Sequence, residues 1–344
     1  MRIGILTGGG DAPGLNAAIR AVARPAMADG HTVVGIHNGW AGLVGEGDWR
    51  ELTRREVSGI LQIGGTVLGS SRTNPMKMEG GRERVQENLR RAEVDALVTI
   101  GGDDTLSVAA WLAEHGGPVV GVPKTMDNDL SVTEYCIGFD TAVSIVTEAV
   151  DRLHTTASSH HRVMVVEVMG RDTGWVAVMG GLAGGADMIV IPEFPVSLDE
   201  VVEHLYRRRA GGSDFSIIVV SEGVEMEGMA GKDDAATQRD AFGHVQLSRR
   251  GVGERLAALI EERTGFECRT TVLGHTQRGG TPTAYDRIWA THVGYGAWEL
   301  VIRGGFGQMP VVQCSRIEVA PIRDVVAEQR RVPRELYELA TVFF

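Results

Sequence analysis

Short apolar runs that each end in a glycine-rich loop and lead into a helical stretch are the strongest constraint on how this chain can fold. Residues 2–6 read as a buried strand, 7–16 as a glycine loop with a Pro13-Gly14 turn, and 17–27 as an alanine-rich helix. The same order recurs at 31–36, at 96–114 and at 163–169 with its glycine-rich sequel, and less clearly at 216–220 and 270–273. Strands alternating with helices imply an α/β fold with parallel sheets and crossover helices. Glycine makes up 46 of 344 residues, well above the usual ~7%. Its place at the ends of apolar runs marks tight turns rather than low-complexity sequence. Ligands of such sheets bind outside the carboxyl ends of the strands, where the Gly, Asp and Arg motifs of this chain fall.

Two strand ends carry most of the chemistry. Ile100-Gly101-Gly102-Asp103-Asp104-Thr105 follows the run 96–100, and Pro123-Lys124-Thr125-Met126-Asp127-Asn128-Asp129 follows 119–122. Two glycines ahead of a helix at 106–114 expose backbone N–H groups where anions bind well. The loop is acidic, so a bare phosphate would be repelled. A Mg²⁺ between carboxylate and phosphate resolves the conflict, because Mg²⁺ favours a few carboxylates plus substrate phosphate oxygens. An Asp directly after a strand suits a base that takes a hydroxyl proton as a phosphoryl group moves. The loop 7–16 matches neither GxGxxG nor GxxxxGK[ST] cleanly, which leaves a dinucleotide fold and a P-loop unsupported.

Arginines gather at the other strand mouths. Arg72 closes 64–72 beside two serines, Arg162 precedes the strand at 163 and Arg171 follows it. Ser221-Glu222-Gly223 ends another strand, and Arg269 precedes 270–273, which leads into Gly274-His275-Thr276-Gln277-Arg278-Gly279-Gly280. Guanidinium groups so placed suit bidentate phosphate clamps. His160 and His161 are adjacent and point apart, so they read as structural.

The bulk properties narrow the partners. A net charge of −11, from 34 basic and 45 acidic residues, argues against nonspecific binding to nucleic acid or an anionic membrane. The three cysteines, Cys136, Cys268 and Cys314, show no CxxC spacing, which makes a disulfide framework or zinc site unexpected and a reducing compartment the default. No apolar run approaches ~18 residues, and a first strand at residue 2 leaves no room for a signal peptide. The expectation is a cytoplasmic, soluble protein with length enough for two domains. The polar stretch 225–246 reads as a surface loop before a helix at 253–264. The tail from residue 318 ends in an apolar cluster, 339–344, expected to dock on this subunit or another.

Taken together these segments resemble the 6-phosphofructokinase family. The resemblance runs in order from residue 2 to about 287, through TGGGDAPGLNAAIR, GGTVLGSSR, GGDDT, PKTMDNDL, VVEVMGR, SEG and TVLGHTQRGGTPTAYDR. It implies two interleaved Rossmann-like three-layer units with mainly parallel sheets and the active site between them. Residues 1–138 plus about 276–306 would form the phosphoryl-donor and Mg²⁺ domain, and 139–275 plus about 307–344 the sugar-phosphate domain. By resemblance Asp127 activates the 1-hydroxyl of fructose 6-phosphate, Thr125 and Asp129 position substrate or metal, and Asp103 binds Mg²⁺. Gly10 and Arg72 contact the donor. Met169, Gly170, Arg171, Glu222, His275 and Arg278 hold the sugar phosphate, with Arg162 and Arg269 arriving from the adjacent subunit. A homodimer or homotetramer with shared active sites is implied.

Two departures bear on the donor. ATP-dependent members usually carry Gly where this chain has Asp104, and commonly Gly where it has Lys124. The Asp104/Lys124 pair resembles the pyrophosphate-dependent branch. Asp104 discriminates, because some ATP-using relatives also carry the lysine. The interval from Glu222 to Arg269 is longer than in the compact bacterial ATP enzymes, so their regulation is not carried over, and Arg20 and Arg24 are read as structural. The competing readings are an ATP-dependent phosphofructokinase, a lipid or NAD kinase with a GGDG-type loop, and a non-catalytic sugar-phosphate sensor. The kinase of another class needs neither the DND nor the HTQRGG segment, and the sensor would be favoured by loss of Asp127 or Asp103, both of which are present.

Overall fold

A computed structural model describes residues 1–226 and 251–344. All but the first two residues of the polar stretch 225–246 lie outside that description. The chain forms two compact units, Met1–Thr141 with Arg278–Arg330, and Ala142–Gln277 with Arg331–Phe344.

In chain order the first unit begins β1 (Arg2–Thr7), α1 (Leu15–Ala28), β2 (Thr32–Ile36), α2 (Ala41–Val44), β3 (Trp49–Glu51), α3 (Gly81–Arg91), β4 (Ala96–Gly101), α4 (Asp103–Glu114) and β5 (Val119–Pro123). Helix α5 (Phe139–His160) leads into the second unit, which holds β6 (Val163–Val168), α6 (Trp175–Gly184), β7 (Met188–Val190), α7 (Leu198–Ala210), β8 (Ser216–Ser221), α8 (Val252–Thr264) and β9 (Cys268–Val272). The chain then returns to the first unit as α9 (Ala284–Arg303), the antiparallel hairpin β10 (Gln308–Gln313) and β11 (Arg316–Pro321), and α10 (Ile322–Val325). It ends in the second unit with α11 (Arg334–Thr341).

The first sheet runs β3-β2-β1-β4-β5, parallel except for β3 at its edge. Nearly every residue of β1, β4 and β5 is buried, as strands covered on both faces require. From β1 the chain moves one way to β2 and later returns to β4 on the other side. The crevice beyond the carboxyl ends of β1 and β4 is therefore the topological switch point, the usual ligand site of an open parallel sheet. The second sheet, β7-β8-β6-β9, is wholly parallel.

Three differences from the sequence reading have physical causes, and the docking of the tail is settled in favour of its own chain. Segment 307–330, expected with the sugar-phosphate domain, belongs to the first unit. Its Met309, Val311, Ala320, Ile322 and Val325 share a core with Leu97, Leu106 and Val119, and the Gly307 N–H donates to the Val119 carbonyl at 2.8 Å. Strands β3 and β7 have three residues each, too short to show a period. Helix α4 starts at Asp103 rather than 106, so Asp103 and Asp104 belong to its first turn, where the macrodipole favours carboxylates. The apolar tail docks on its own chain: the Tyr337 hydroxyl donates to the Ile189 carbonyl at 3.0 Å and Phe344 packs against the second core.

A buried histidine in α7 makes the second unit acid-sensitive. His204 is 3% exposed. Burial first, then Arg208 and Arg207, pulls its pKa down to about 4. The unfolded chain takes up this proton near pH 6.5, so its contribution to stability is complete above that value and is lost as pH falls towards 4. Replacing His204 with Leu should flatten the fall in Tm between pH 7 and pH 5 by the equivalent of about 1–2 kcal/mol. Identical pH dependence in scanning fluorimetry would refute this.

Candidate active site

At the switch point the glycine loop after β1 is clasped from below. Lys124, at the end of β5, is 3% exposed, and its ammonium donates to the Gly8 carbonyl at 3.0 Å and to the Gly10 carbonyl. The chain approaches itself closely here. A Cβ on Gly8 would meet Thr105 Oγ1 at 2.5 Å, and one on Gly101 would meet Thr105 Cβ at 2.4 Å. Glycine at both positions lets the loops after β1 and β4 close around Thr105.

The segment carrying Arg72 packs on the same loop. Ser70 Oγ donates to the Gly9 carbonyl at 2.5 Å, the Gly9 N–H donates to the Ser71 carbonyl at 3.1 Å, and Thr7 Oγ1 donates to the Gly69 carbonyl at 2.7 Å. Arg278, expected among the sugar-phosphate residues, also lies against it. Its Nη1 would be 2.6 Å from a Cβ on Gly10 and donates to the Asp11 carbonyl at 3.3 Å. Arg278 is 8% exposed, and its buried Nε has no hydrogen-bond partner among the described residues.

Asp127 lies in the turn after β5. Its N–H donates to Thr125 Oγ1 at 3.2 Å, and the Thr125 hydroxyl lies 3.4 Å from Oδ2. Its Oδ1 is buried with no hydrogen-bond partner among the described residues. The turn exists because Asn128 adopts φ 53°, a left-handed conformation that Asn tolerates better than most residues. Its side chain holds the following segment, accepting from the Cys136 N–H at 2.9 Å and donating to the Glu134 carbonyl at 3.2 Å. Asp129 accepts from Gln329 Nε2 at 2.9 Å, and its carbonyl accepts from the Arg330 N–H at 2.8 Å. Asp103 is exposed and Asp104 half-buried at the start of α4.

The second unit gathers its own set beyond β6, β8 and β9. Met169 donates its N–H to Gln277 Oε1 at 2.8 Å, and the Glu222 N–H donates to the Val168 carbonyl at 2.9 Å. Arg171 has φ 51°, uncommon for a non-glycine residue and strained. Gly223 permits this, since a Cβ there would lie 1.8 Å from the Arg171 carbonyl oxygen. Gly170 is equally confined, with Thr173 O 2.5 Å from its notional Cβ. His275 is exposed in the tight turn Gly274–Arg278.

Residues 2–301 match the family Phosphofructokinase. The chain belongs to the phosphofructokinase family. It is 55% identical, over the full length of both chains, to an Amycolatopsis methanolica protein named pyrophosphate–fructose 6-phosphate 1-phosphotransferase. It is 53% identical to a Streptomyces coelicolor protein of the same name, again over both full lengths. A second Streptomyces coelicolor protein, named ATP-dependent 6-phosphofructokinase 3, is 47% identical over 98% of each chain. Among solved structures the Pichia pastoris phosphofructokinase in the T-state superposes with TM-score 0.82 and 31% identity. The match covers 99% of this chain and 38% of that longer one.

Arg162 and Arg269 lie apart from the rest of the second unit's set. They flank the amino ends of β6 and β9, where Val163 pairs with Cys268, whereas Met169, Arg171 and Glu222 follow carboxyl ends. The six residues of β6, about 20 Å of strand, separate Arg162 from Met169. Both arginines bind Glu267, Arg162 at 2.8 Å, and that hydrogen bond from Arg162 leads in holding Glu267 below its ordinary carboxylate range.

Among the described residues no group of three or more His, Cys, Asp and Glu side chains converges as a metal cage. The donor set fits Mg²⁺ nonetheless, since that ion takes one or two carboxylates and completes its shell with water and substrate phosphate. Sequence reasoning missed Gln277 and Asn128, although both lie inside quoted motifs. Each acts through a hydrogen bond to a backbone group that no motif displays. Replacing Lys124 with Met should strand the Gly8 and Gly10 carbonyls and lower stability by about 1–3 kcal/mol. A melting curve equal to that of the wild type would show that the clasp is dispensable.

Proposed function

We propose that this protein transfers a phosphoryl group from pyrophosphate to the 1-hydroxyl of fructose 6-phosphate, reversibly, in glycolysis and gluconeogenesis. The products are fructose 1,6-bisphosphate and phosphate. The observation that carries the choice of donor is Asp104 in the first turn of α4, at the helix N-terminus where a nucleotide's phosphate chain would otherwise lodge. Two like charges ~4 Å apart at an effective dielectric near 20 repel by about 4 kcal/mol. A third phosphate meets that repulsion, while pyrophosphate ends before it. The full-length relatives named for pyrophosphate support the same reading.

On this reading Asp127 Oδ1 accepts the proton of the 1-hydroxyl as its oxygen bonds to phosphorus. The bond from that phosphorus to the bridging oxygen breaks, and phosphate departs. Positioned acid–base catalysis of this kind contributes roughly 10²–10⁴-fold. Thr125 orients Asp127 and the sugar, and Gly10, Arg72 and Lys124 face the donor. Met169, Gly170, Arg171, Glu222, His275 and Arg278 hold the sugar phosphate. Asp103, with Asp129, would hold Mg²⁺, which supplies neutralising charge for the donor's phosphate oxygens. A cytoplasmic location follows from this reading, since both substrates are multiply charged and do not cross a bilayer unaided. Among the described residues no helix is long and apolar enough to cross a membrane.

Arg162 and Arg269 complete the reading as residues that serve a neighbouring copy, in a homodimer or homotetramer. Support comes from their position at the amino ends of strands whose carboxyl ends carry the rest of the set. Subunit exchange tests it. Mixed Arg162→Ser and Asp127→Asn preparations should regain activity at hybrid sites, and dead hybrids after verified exchange would sink the shared-site reading.

The donor is tested by mixing enzyme, Mg²⁺ and fructose 6-phosphate with pyrophosphate or ATP and measuring the bisphosphate. Pyrophosphate should be the efficient donor. Asp104→Gly should raise kcat/KM for ATP by roughly 10–10³-fold and lower it for pyrophosphate. Equal use of both donors by the wild type, or a donor ratio unmoved by Asp104→Gly, would move the chain to the ATP-dependent branch.

A further inference from the structure

Asp286, at the start of α9, is 0% exposed, and neither the donor set nor the sugar set uses it. Its Oδ1 accepts from the Tyr135 hydroxyl and from the Gly138 N–H at 2.6 Å. Its Oδ2 accepts from the Thr141 N–H at 2.8 Å and the Thr141 hydroxyl at 2.5 Å. Thr283 closes the arrangement, its hydroxyl accepting from the Asp286 N–H at 3.2 Å and donating to Asp140 Oδ2 at 2.6 Å. These contacts belong to one unit, Met1–Thr141 with Arg278–Arg330.

What the carboxylate grips is the segment that frames Asp127. Tyr135 lies between Glu134 and Cys136, the two residues bound by the Asn128 side chain. The Ile137 N–H donates to the Pro123 carbonyl at 3.3 Å, which ties the same segment to the end of β5. Pull on Tyr135 or Gly138 is therefore transmitted through Asn128 and Pro123 to both sides of the turn that holds Asp127. Desolvation raises the Asp286 pKa above its ordinary value, so the site is a costly place for a carboxylate. A neutral Ser or Thr would cap α5 at lower cost. A single group with four donors fixed on it yields a rigid frame instead.

We propose that Asp286 is a positioning residue for the phosphoryl-transfer reaction, holding the 134–141 segment so that Asn128 presents Asp127 to the substrate hydroxyl. The inference rests on the reading of Asp127 as the base. A group that only stabilised the fold would lower Tm without changing turnover per folded molecule. A positioning residue lowers kcat while KM for pyrophosphate stays near its wild-type value.

The test is a double-mutant cycle on the intact enzyme, assayed with pyrophosphate, Mg²⁺ and fructose 6-phosphate well below Tm, with folding verified by circular dichroism. Asp286→Asn should lower kcat about 10–100-fold, and Tyr135→Phe, which removes one contact and leaves the carboxylate, about 3–10-fold. In the Asp127→Asn background neither should lower kcat further, because both act through Asp127. Unchanged kcat in Tyr135→Phe, or additive losses in the Asp127→Asn background, overturns the proposal. If Asp286→Asn does not fold, the Tyr135→Phe arm decides alone. Near-normal turnover of Asp127→Asn by itself would instead refute the base, a result separable from the cycle.

Discussion

The buried ammonium of Lys124 is the contact on which the loops at the first sheet's switch point depend. A lysine so deep is costly unless its protons are satisfied, and the Gly8 and Gly10 carbonyls satisfy it. The same bonds draw the loop after β1 onto the end of β5, across β4 between them in the sheet. Loops from two strands thus share one cation, and the Lys124 N–H ties the end of β4 to them through the Gly101 carbonyl at 3.0 Å. That convergence requires glycine at 8 and 101 to admit Thr105. Ser70, Ser71 and Arg278 then pack onto a loop whose course is already set.

Much of this was legible in the sequence because parallel strands buried on both faces leave unbroken apolar runs, and because ligand loops follow them. β1, β4, β6 and β8 were found to within a residue or two for that reason. The hairpin β10–β11 was not, since β11 is mostly exposed and its apolar residues do not form a run. Lys124 shows the same limit within the site. Its charge is visible at a strand end, but its partners are 116 and 114 residues away, so sequence shows a cation and not a clasp. Asp286 and Tyr135, 151 residues apart, are likewise silent until the fold brings them together.

The second unit uses the two ends of its sheet differently. Beyond the carboxyl ends, the strained Arg171 backbone is packed against Gly223, and Gly170 against Thr173, so the loops close tightly on themselves. At the amino ends, Arg162 and Arg269 share one glutamate. A carboxylate bound to two guanidinium groups holds them together and partly neutralises them. Opposite ends of a strand lie too far apart for one small ligand, which is why the proposed function assigns Arg162 and Arg269 to a neighbouring copy.

Charge resolves how a chain with net −11 handles anionic substrates. Its acids at the switch point are not placed at random: Asp103 and Asp104 occupy the first turn of α4, where the helix dipole stabilises them by several tenths of a kcal/mol each. They spend there the anion-binding capacity that a bare helix N-terminus would offer to a phosphate chain. On the proposed function, a donor would bind with a divalent cation and would have to be short enough to stay clear of Asp104. On that proposal helix stability, metal dependence and donor length would all follow from one pair of carboxylates. A glycine at 104 would uncouple them, weakening the helix start while opening it to a longer phosphate chain.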